Sequence, residues 1–145
     1  MADLLLSISE LRSFLDRDFP QVSGSIELLH LEPMFLRTKF KVTEAHLRPG
    51  GTVSGPAMFL VADVSAYIAI LSLVGPKALS VTTSCGMDFM RRPKAGADLI
   101  CDTRVLKLGR ALVVTDCLLF SERQSEAVAR ANMTYSIPPA KAADA

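Results

Sequence analysis

The chain has 145 residues, of which 50% are hydrophobic and 21% charged, and its formal net charge at pH 7 is +1. This length and composition predict a single globular domain, residues 1–145, with a core that needs no disulfide or metal to fold. The balanced charge, and the lack of interleaved aromatic and basic residues, argue against nucleic acid or a membrane surface as a partner.

The cysteines and histidines give no metal or disulfide pattern. Cys85, Cys101 and Cys117 lie far apart in strand-like runs, so we expect buried free thiols and a reducing, cytoplasmic location. His30 and His46 have no metal-binding spacing, and the sequence predicts no zinc site. The N-terminal segment lacks a basic region before its short apolar run, which argues against a signal peptide.

The first third of the chain predicts one helix and two strands. "SISE" at 7–10 is a capping box, and a helical stripe follows it until Pro20: Ile8, Leu11, Phe14 and Leu15. The segment 25–31 predicts a short strand. The segment 34–43 alternates apolar residues with Arg37, Lys39 and Lys41, which predicts a half-exposed strand.

The most hydrophobic segment, 56–74, contains a single charge, Asp63. A proline at its start and Gly75 at its end predict a helix of five turns. The length approaches that of a membrane span, but a central Asp costs about 2.5–3.5 kcal/mol on insertion scales, and no basic cluster flanks it. Because the amphipathic strands need a helix to cover one face of their sheet, we interpret the segment as a buried central helix.

Four strands are predicted after this helix, at 78–90, 99–108, 111–120 and 126–137. Alternation in the first of them predicts one shared face for Leu79, Val81, Thr83, Cys85, Met87 and Phe89. The core is expected to cover about 25–137, and the tail 138–145 to fray. These elements together predict an α+β domain.

Two segments resemble a known family: "HLRPGGTVSGPAMFLVADV" (46–64) and "FMRRPKAGADLICDTRVLKLGRALVVTD" (89–116). They are similar to PaaI-like acyl-CoA thioesterases of the hotdog superfamily, over about residues 25–137. The resemblance implies a curved antiparallel sheet wrapped around a long central helix, here with an extra N-terminal helix. It also implies an acyl-CoA substrate, a homodimer or homotetramer, and hydrolysis with no metal or cofactor beyond the coenzyme A of the substrate.

The resemblance assigns the two central roles of a thioester hydrolase. Asp63 stands nine residues after Ser54, where the family keeps a carboxylate that acts as general base on water or as nucleophile. Gly55 is the best backbone donor to an oxyanion because Pro56 has no N–H. In the family these two groups come from different subunits. A structural Asp, and a simple turn at Gly55-Pro56, remain the alternatives.

The sequence also departs from the family pattern. Ser54-Gly55-Pro56 stands where many relatives have His-Gly-Gly, and Arg48 stands where many have Asn. Ser54 could donate a hydrogen bond to the thioester or simply cap the helix. Thr83 or Ser84 could hold the attacking water, although both residue types are also ordinary in strands.

The predicted substrate contacts fall into a basic and an apolar group. Arg91, Arg92 and Lys94 could bind the phosphates of coenzyme A, or form a solvated basic turn. The remaining candidates, which would line an acyl pocket or orient the ester, are Arg48, Pro56, Met58, Phe59, Tyr67 and Ser84.

Three other functions compete with thioester hydrolysis. The first is a non-catalytic hotdog protein that binds acyl-CoA or a small aromatic ligand. The second is a hotdog hydratase or dehydratase. Such relatives need a catalytic His paired with an acid, and neither His30 nor His46 lies in or just before the central helix. The third is a structural dimer without a pocket. The acyl group, and the choice between dimer and tetramer, are left open by the sequence.

Overall fold

The computed structural model of the protein describes residues 3–77 and 79–139. Its helices and strands follow the predicted order. They are α1 (Ile8–Asp18), α2 (Pro20–Ser23), β1 (Ile26–Glu32), β2 (Phe35–Phe40), α3 (Gly55–Val74), β3 (Val81–Phe89), β4 (Leu99–Leu108), β5 (Leu112–Ser121) and β6 (Ala127–Ser136), with a 3₁₀ turn at Glu44–His46 between β2 and α3.

The six strands form one antiparallel sheet in the order β1-β2-β4-β5-β6-β3. Helix α3 packs across β2, β4, β5 and β6, so the sheet wraps around it. Helix α1 contacts β1 and α3. This arrangement confirms the predicted α+β hotdog fold with a long central helix and an additional N-terminal helix.

Helix α3 is the centre of the core. It is long and apolar enough to cross a bilayer, yet 78% of its most hydrophobic window is buried inside the protein. Ile68, Ile70 and Leu71 are fully buried in one cluster with strand residues such as Leu119 and Met133. Burying each such side chain contributes about 1.5–3 kcal/mol, and the helix is apolar all round because the curved sheet surrounds it.

The N-terminal helix is fixed by polar contacts at its N-terminus and near its middle. The predicted capping box is present: Ser7 Oγ accepts from the Glu10 amide at 3.1 Å, and Glu10 Oε1 accepts from the Ser7 amide at 3.0 Å. Arg12 donates to the main-chain oxygens of Ser23 and Ile26, the latter at 2.6 Å. Pro20 does end α1, and it also begins the single turn α2, since proline is favoured at the first helical position.

Strand β3 lies at the edge of the sheet and contains a bulge. Thr82 pairs with Tyr135, and Ser84 pairs with the adjacent Thr134, so Thr83 is the extra residue. Directly opposite residues share a face, and the bulge therefore places Thr82 on the face that Cys85 also occupies. The prediction that Val81 and Thr83 share the face of Cys85 is wrong, because strict alternation cannot continue through a bulge.

The cysteines occupy two different environments. Cys101 and Cys117 are fully buried, as expected, whereas Cys85 is exposed on β3. The prediction of a buried Cys85 is wrong, since Cys85 lies on the edge strand of the sheet, where α3 makes fewer contacts than it does with β4, β5 and β6. The predicted frayed tail falls mostly on residues 140–145, which lie outside the described residues.

Candidate active site

The lone charge of the central helix, Asp63, lies half-buried on the third turn of α3. Two hydroxyls donate to its Oδ1 atom, Thr82 Oγ1 at 2.5 Å and Tyr135 Oη at 2.7 Å. No residue in 3–77 or 79–139 donates a hydrogen bond to Oδ2 or forms an ion pair with this carboxylate. Asp63 is thus anchored through one oxygen by neutral donors, and its other oxygen is available.

Tyr135 supports the carboxylate from β6, the strand next to the edge strand β3. Its ring is only 3% exposed, and its hydroxyl also lies 2.8 Å from the main-chain oxygen of Asp63. Burial raises the pKa of Tyr135 well above its ordinary value, and the negative charge of Asp63 raises it further. The hydroxyl therefore stays protonated and acts as a donor throughout the neutral range.

Asp63 opens into a cavity of about 490 Å³, which we call the acid cavity; its wall includes Leu60, Asp63, Tyr67, Val81 and Thr82. The N-terminal helices contribute Asp18, Phe19 and Gln21 to this wall. The rings of Phe19 and Tyr67 meet edge to face with centroids 5.8 Å apart. Burial raises the pKa of Tyr67, with a smaller contribution from the charge of Asp18. The acid cavity is thus mainly apolar, with Asp63 held by two hydroxyls on its wall.

A second cavity, of about 450 Å³, lies at the N-terminus of α3. We call it the loop cavity; its wall includes Arg48, Gly55, Met58, Phe89, Arg91 and Arg92. Gly55 is the first helical residue, so its N–H has no partner within the helix, and none is found elsewhere in the described residues. The helix dipole places partial positive charge at this N–H, which suits it to bind an anionic oxygen.

The space beside Gly55 is bounded by the ring of Phe89. A Cβ atom built there would lie 3.3 Å from Cζ of Phe89, the last residue of β3. Ser54 is the N-cap, and its Oγ accepts from the Ala57 amide at 3.3 Å. The serine hydroxyl is therefore engaged in capping, while the neighbouring glycine leaves its own N–H accessible.

The two cavities are separated within one copy of the chain. Asp63 is the eighth residue after Gly55 along α3, which corresponds to about 12 Å along the helix axis. The acid cavity adjoins the Val81 end of β3 and the loop cavity adjoins its Phe89 end. The structure therefore brings Asp63 and Tyr67 together in one place, and Gly55 together with Arg48, Arg91 and Arg92 in another.

The strand hydroxyl that contacts Asp63 belongs to Thr82, the neighbour of the predicted candidate Thr83. Thr83 donates to the main-chain oxygen of Thr134 at 3.2 Å, and Thr82 contacts Asp63 in its place. Ser84 is exposed and lines neither cavity. The bulge at Thr83 is the reason that its neighbour Thr82 faces the carboxylate.

Several other predicted contacts also lie outside both cavities. Pro56, Phe59 and Lys94 are exposed and line neither one, and the Lys94 amide donates to Ser121 Oγ at 2.8 Å. Met58 lines the loop cavity. Lys94 therefore does not share the loop cavity with Arg91 and Arg92, with which it was predicted to bind phosphate.

The arginines of the loop cavity differ in how far they are already engaged. Arg91 forms an ion pair with Glu126 at 3.1 Å and donates to the Ala127 carbonyl at 3.0 Å. The side chains of Arg48 and Arg92 have no hydrogen bond or ion pair to the described residues, and both lie beside a smaller adjoining pocket. Arg48 and Arg92 are therefore the cations at this cavity that are most available to a ligand.

The sequence interpretation did not include Tyr135 among the site residues. A signal was present, since apolar residues alternate along the predicted strand 126–137 and Tyr135 is one of them. A buried tyrosine hydroxyl usually finds a hydrogen-bond partner. The central helix offers one ionisable acceptor, Asp63, and combining the two segments would have suggested the pair.

Comparisons with known proteins agree with this fold. The model of the Thioesterase superfamily matches residues 50–128. Human acyl-coenzyme A thioesterase 13 is 27% identical over 118 residues, which cover 81% of this chain and 84% of the human protein.

Solved structures extend the likeness over nearly the whole chain. A crystal structure from Silicibacter sp. TM1040, provisionally named a thioesterase, is 48% identical, covers 95% of this chain and 96% of its own, and has a TM-score of 0.89. A mutant structure of the phenylacetic acid degradation protein PaaI from Thermus thermophilus is 27% identical, covers 82% of this chain and 99% of its own, and has a TM-score of 0.71.

The family match spans more than half of the chain and includes α3, β3, β4 and β5. It therefore contains both Gly55 and Asp63, together with the basic turn at 91–94. The resemblance seen in the sequence is confirmed: the chain belongs to the thioesterase superfamily, has the hotdog fold and is a thioesterase.

Proposed function

We propose that the protein hydrolyses an acyl-CoA thioester to the free acid and coenzyme A, at a site built from two copies of the chain. The observation that carries this proposal is the state of Asp63, whose Oδ1 is held by two hydroxyls while Oδ2 lacks a partner among the described residues beside a cavity of about 490 Å³. The relationship to a human protein named acyl-coenzyme A thioesterase supports the substrate class.

In the proposed reaction Asp63 acts as general base. It takes a proton from water as the water oxygen bonds to the thioester carbonyl carbon, and the carbonyl oxygen becomes an oxyanion. The C–S bond then breaks, the sulfur leaves as the thiolate of coenzyme A, and a proton from the protonated Asp63 can neutralise it. Direct attack by Asp63, through a mixed anhydride that water later hydrolyses, is the variant of this scheme that the same geometry supports.

The oxyanion needs a donor on the same carbonyl that Asp63 serves. Gly55 N–H is such a donor, but it lies about 12 Å along the helix from Asp63 of its own chain. Hydrogen-bond reach is about 3 Å, so one chain cannot place both groups on one carbonyl. The Gly55 of a partner subunit would complete the site.

Strand β3 offers the surface for such a partner. It is a nine-residue edge strand with exposed apolar side chains, Val81 at 56% and Phe89 at 55%. Long exposed edges of this kind tend to pair with another strand. Antiparallel pairing of two β3 strands about a two-fold axis places the Phe89 end of one beside the Val81 end of the other. That brings the loop cavity of one copy next to the acid cavity of its partner.

The remaining substrate contacts follow from charge. Coenzyme A carries a 3′-phosphate and a pyrophosphate, and Arg48 and Arg92 at the loop cavity are suited to bind them. The acyl group would enter the acid cavity past Leu60 and Tyr67. We propose a homodimer as the smallest active unit, in the cytoplasm, with no metal or redox cofactor in the reaction.

A non-catalytic acyl-CoA-binding protein is the second candidate. The observation that favours it is Ser54, a short side chain held at the helix N-cap by accepting from the Ala57 amide, where many relatives have the longer His. In this alternative the two cavities would bind the ester without hydrolysing it.

The two candidates separate in one experiment. Purified protein is assayed against short, medium, long and aryl CoA esters, with Asp63→Asn as the test variant and Asp18→Asn, in the same cavity, as its matched control. We expect hydrolysis of at least one ester, a loss of about 10²–10⁴ in kcat/KM for Asp63→Asn, and little change for Asp18→Asn. Binding of an ester without turnover of any in the panel would favour the binding protein instead.

A further inference from the structure

We propose that Tyr135 is a positioning residue that makes Oδ2 of Asp63 the reacting oxygen. This inference rests on the proposed function of Asp63 as base or nucleophile. A carboxylate has two equivalent oxygens, and its terminal torsion is broad and roughly two-fold. Which oxygen faces the substrate is therefore decided by what holds the other one.

Two donors converge on the same atom, Oδ1, from two different strands. Thr82 approaches from β3 and Tyr135 from β6. With both donors on Oδ1, rotation of the carboxylate would break two hydrogen bonds to a charged group, each stronger than a neutral one. The plane of the carboxylate is thus fixed, and Oδ2 is the oxygen left for water or for the thioester carbon.

Tyr135 is the more rigid of the two donors. Its ring is buried between the sheet and the helix, 6.2 Å from the ring of Tyr67, and its hydroxyl lies within reach of both Oδ1 and the main-chain oxygen of Asp63. One hydroxyl therefore positions both the helix backbone and the carboxylate relative to β6. Thr82, by contrast, lies next to the bulge of an edge strand.

The other titratable groups near Asp63 are few among the described residues. Asp18 at the end of α1 and Tyr67 on α3 line the same cavity, and Asp18 forms an ion pair with Arg17 at 3.1 Å. On β5 the Cys117 thiol donates to the Ala62 carbonyl at 3.8 Å. A change in the acid limb of the kcat/KM profile that is also seen when Asp18→Asn is present therefore arises from Asp63.

The test is Tyr135→Phe, which removes the hydroxyl and keeps the ring. We expect kcat to fall about 10- to 100-fold, the loss of one hydrogen bond to a charged group, with KM nearly unchanged. Because the hydroxyl favours the charged carboxylate, the acid limb of the kcat/KM profile should move upward by about one pH unit. A residue with a merely structural role would lower the melting temperature without moving that limb.

A second pair of variants covers the case in which Tyr135→Phe does not fold. Thr82→Val should shift the acid limb in the same direction, whereas its neighbour Thr83→Val, whose hydroxyl contacts Thr134 instead, should not. An unmoved limb in Tyr135→Phe or, if that variant does not fold, in Thr82→Val overturns the inference while Asp63→Asn remains inactive. If Asp63→Asn is as active as wild type, the proposed function falls and the inference with it.

Discussion

The acid cavity and the loop cavity have opposite chemistry. The described wall of the acid cavity carries carboxylates and hydroxyls but no Lys or Arg, and that of the loop cavity carries three arginines and a free helix N–H but no carboxylate. Thioester hydrolysis needs a base and an oxyanion donor on one carbonyl, which neither cavity supplies. Under the proposed function, each cavity of a single chain is therefore one half of a site, and we call the two halves the acid half-site and the loop half-site.

The position along α3 explains why each half-site has its own chemistry. At the first residue of the helix the backbone itself supplies an unpaired N–H and partial positive charge, so Gly55 needs no side chain. On the third turn every backbone group is already paired within the helix. A charge there needs side-chain donors, and Asp63 obtains them from Thr82 and Tyr135.

Removing the Gly55 N–H should have the largest effect on the loop half-site. Gly55→Pro deletes the donor, and the helix should tolerate it, because proline is favoured at the first helical position and Ser54 has an extended ψ of 156°. We expect kcat to fall about 10²–10³-fold, as for other oxyanion donors. Steady-state kinetics on the best CoA ester of the panel provide the measurement.

Gly55→Ala is the matched control for that substitution. It adds a Cβ at the same place, 3.3 Å from Phe89, and keeps the N–H. Phe89 is 55% exposed, so its ring can shift to make room. Equal losses for Ala and Pro would mean that the space beside Phe89 matters and the N–H does not, and the assignment of the oxyanion donor would then fail.

The proposed division into two half-sites can be tested by mixing two inactive variants. In a heterodimer of Asp63→Asn and Gly55→Pro, one of the two sites takes its intact Asp63 from one chain and its intact Gly55 from the other. Equal mixing after unfolding and refolding should restore about one quarter of wild-type activity, since half of the dimers are mixed and each has one complete site.

The pure variants, refolded separately, set the baseline for the mixture. A mixture no more active than their average would show that Asp63 and Gly55 act within one chain or not at all. Sedimentation of the mixture checks that dimers have formed. This experiment tests the contribution of the partner subunit without assuming which faces of the two chains meet.

Much of the fold could be predicted from local sequence patterns. The predicted boundaries of β4, 99–108, agree with the structure, and α3 begins one residue before Pro56, because the proline and the terminal glycine mark its ends. The shared face of β3 could not be predicted. A bulge is set by the pairing of two strands distant in sequence, so the pattern within 78–90 gave no sign that Thr83 interrupts it.

The part of the site that depends on one unusual residue could be predicted from the sequence. The part that depends on side chains from different elements meeting at one atom could not. Asp63 stands out as the sole charge in an apolar helix, and the structure places it at a cavity. Thr82 and Tyr135 became visible only when three elements met at one oxygen. Similarly, the sequence could not show that Arg92 lines the loop cavity and Lys94 does not, because this depends on how the turn is oriented in the fold.

Substitution of Arg92 has the smallest of the expected effects, and it tests whether the loop cavity binds a phosphate at a specific arginine. If it binds a phosphate of coenzyme A, Arg92→Ala should raise KM about 10-fold with kcat nearly unchanged, and high salt should reduce the difference from wild type. Lys94→Ala removes the same charge from the same turn, but its side chain lies outside the loop cavity. We expect its KM to change by no more than about two-fold, in line with a solvated surface charge. If both variants raise KM equally, the turn attracts the substrate only through its overall charge, and the loop cavity then has no specific phosphate contact at Arg92.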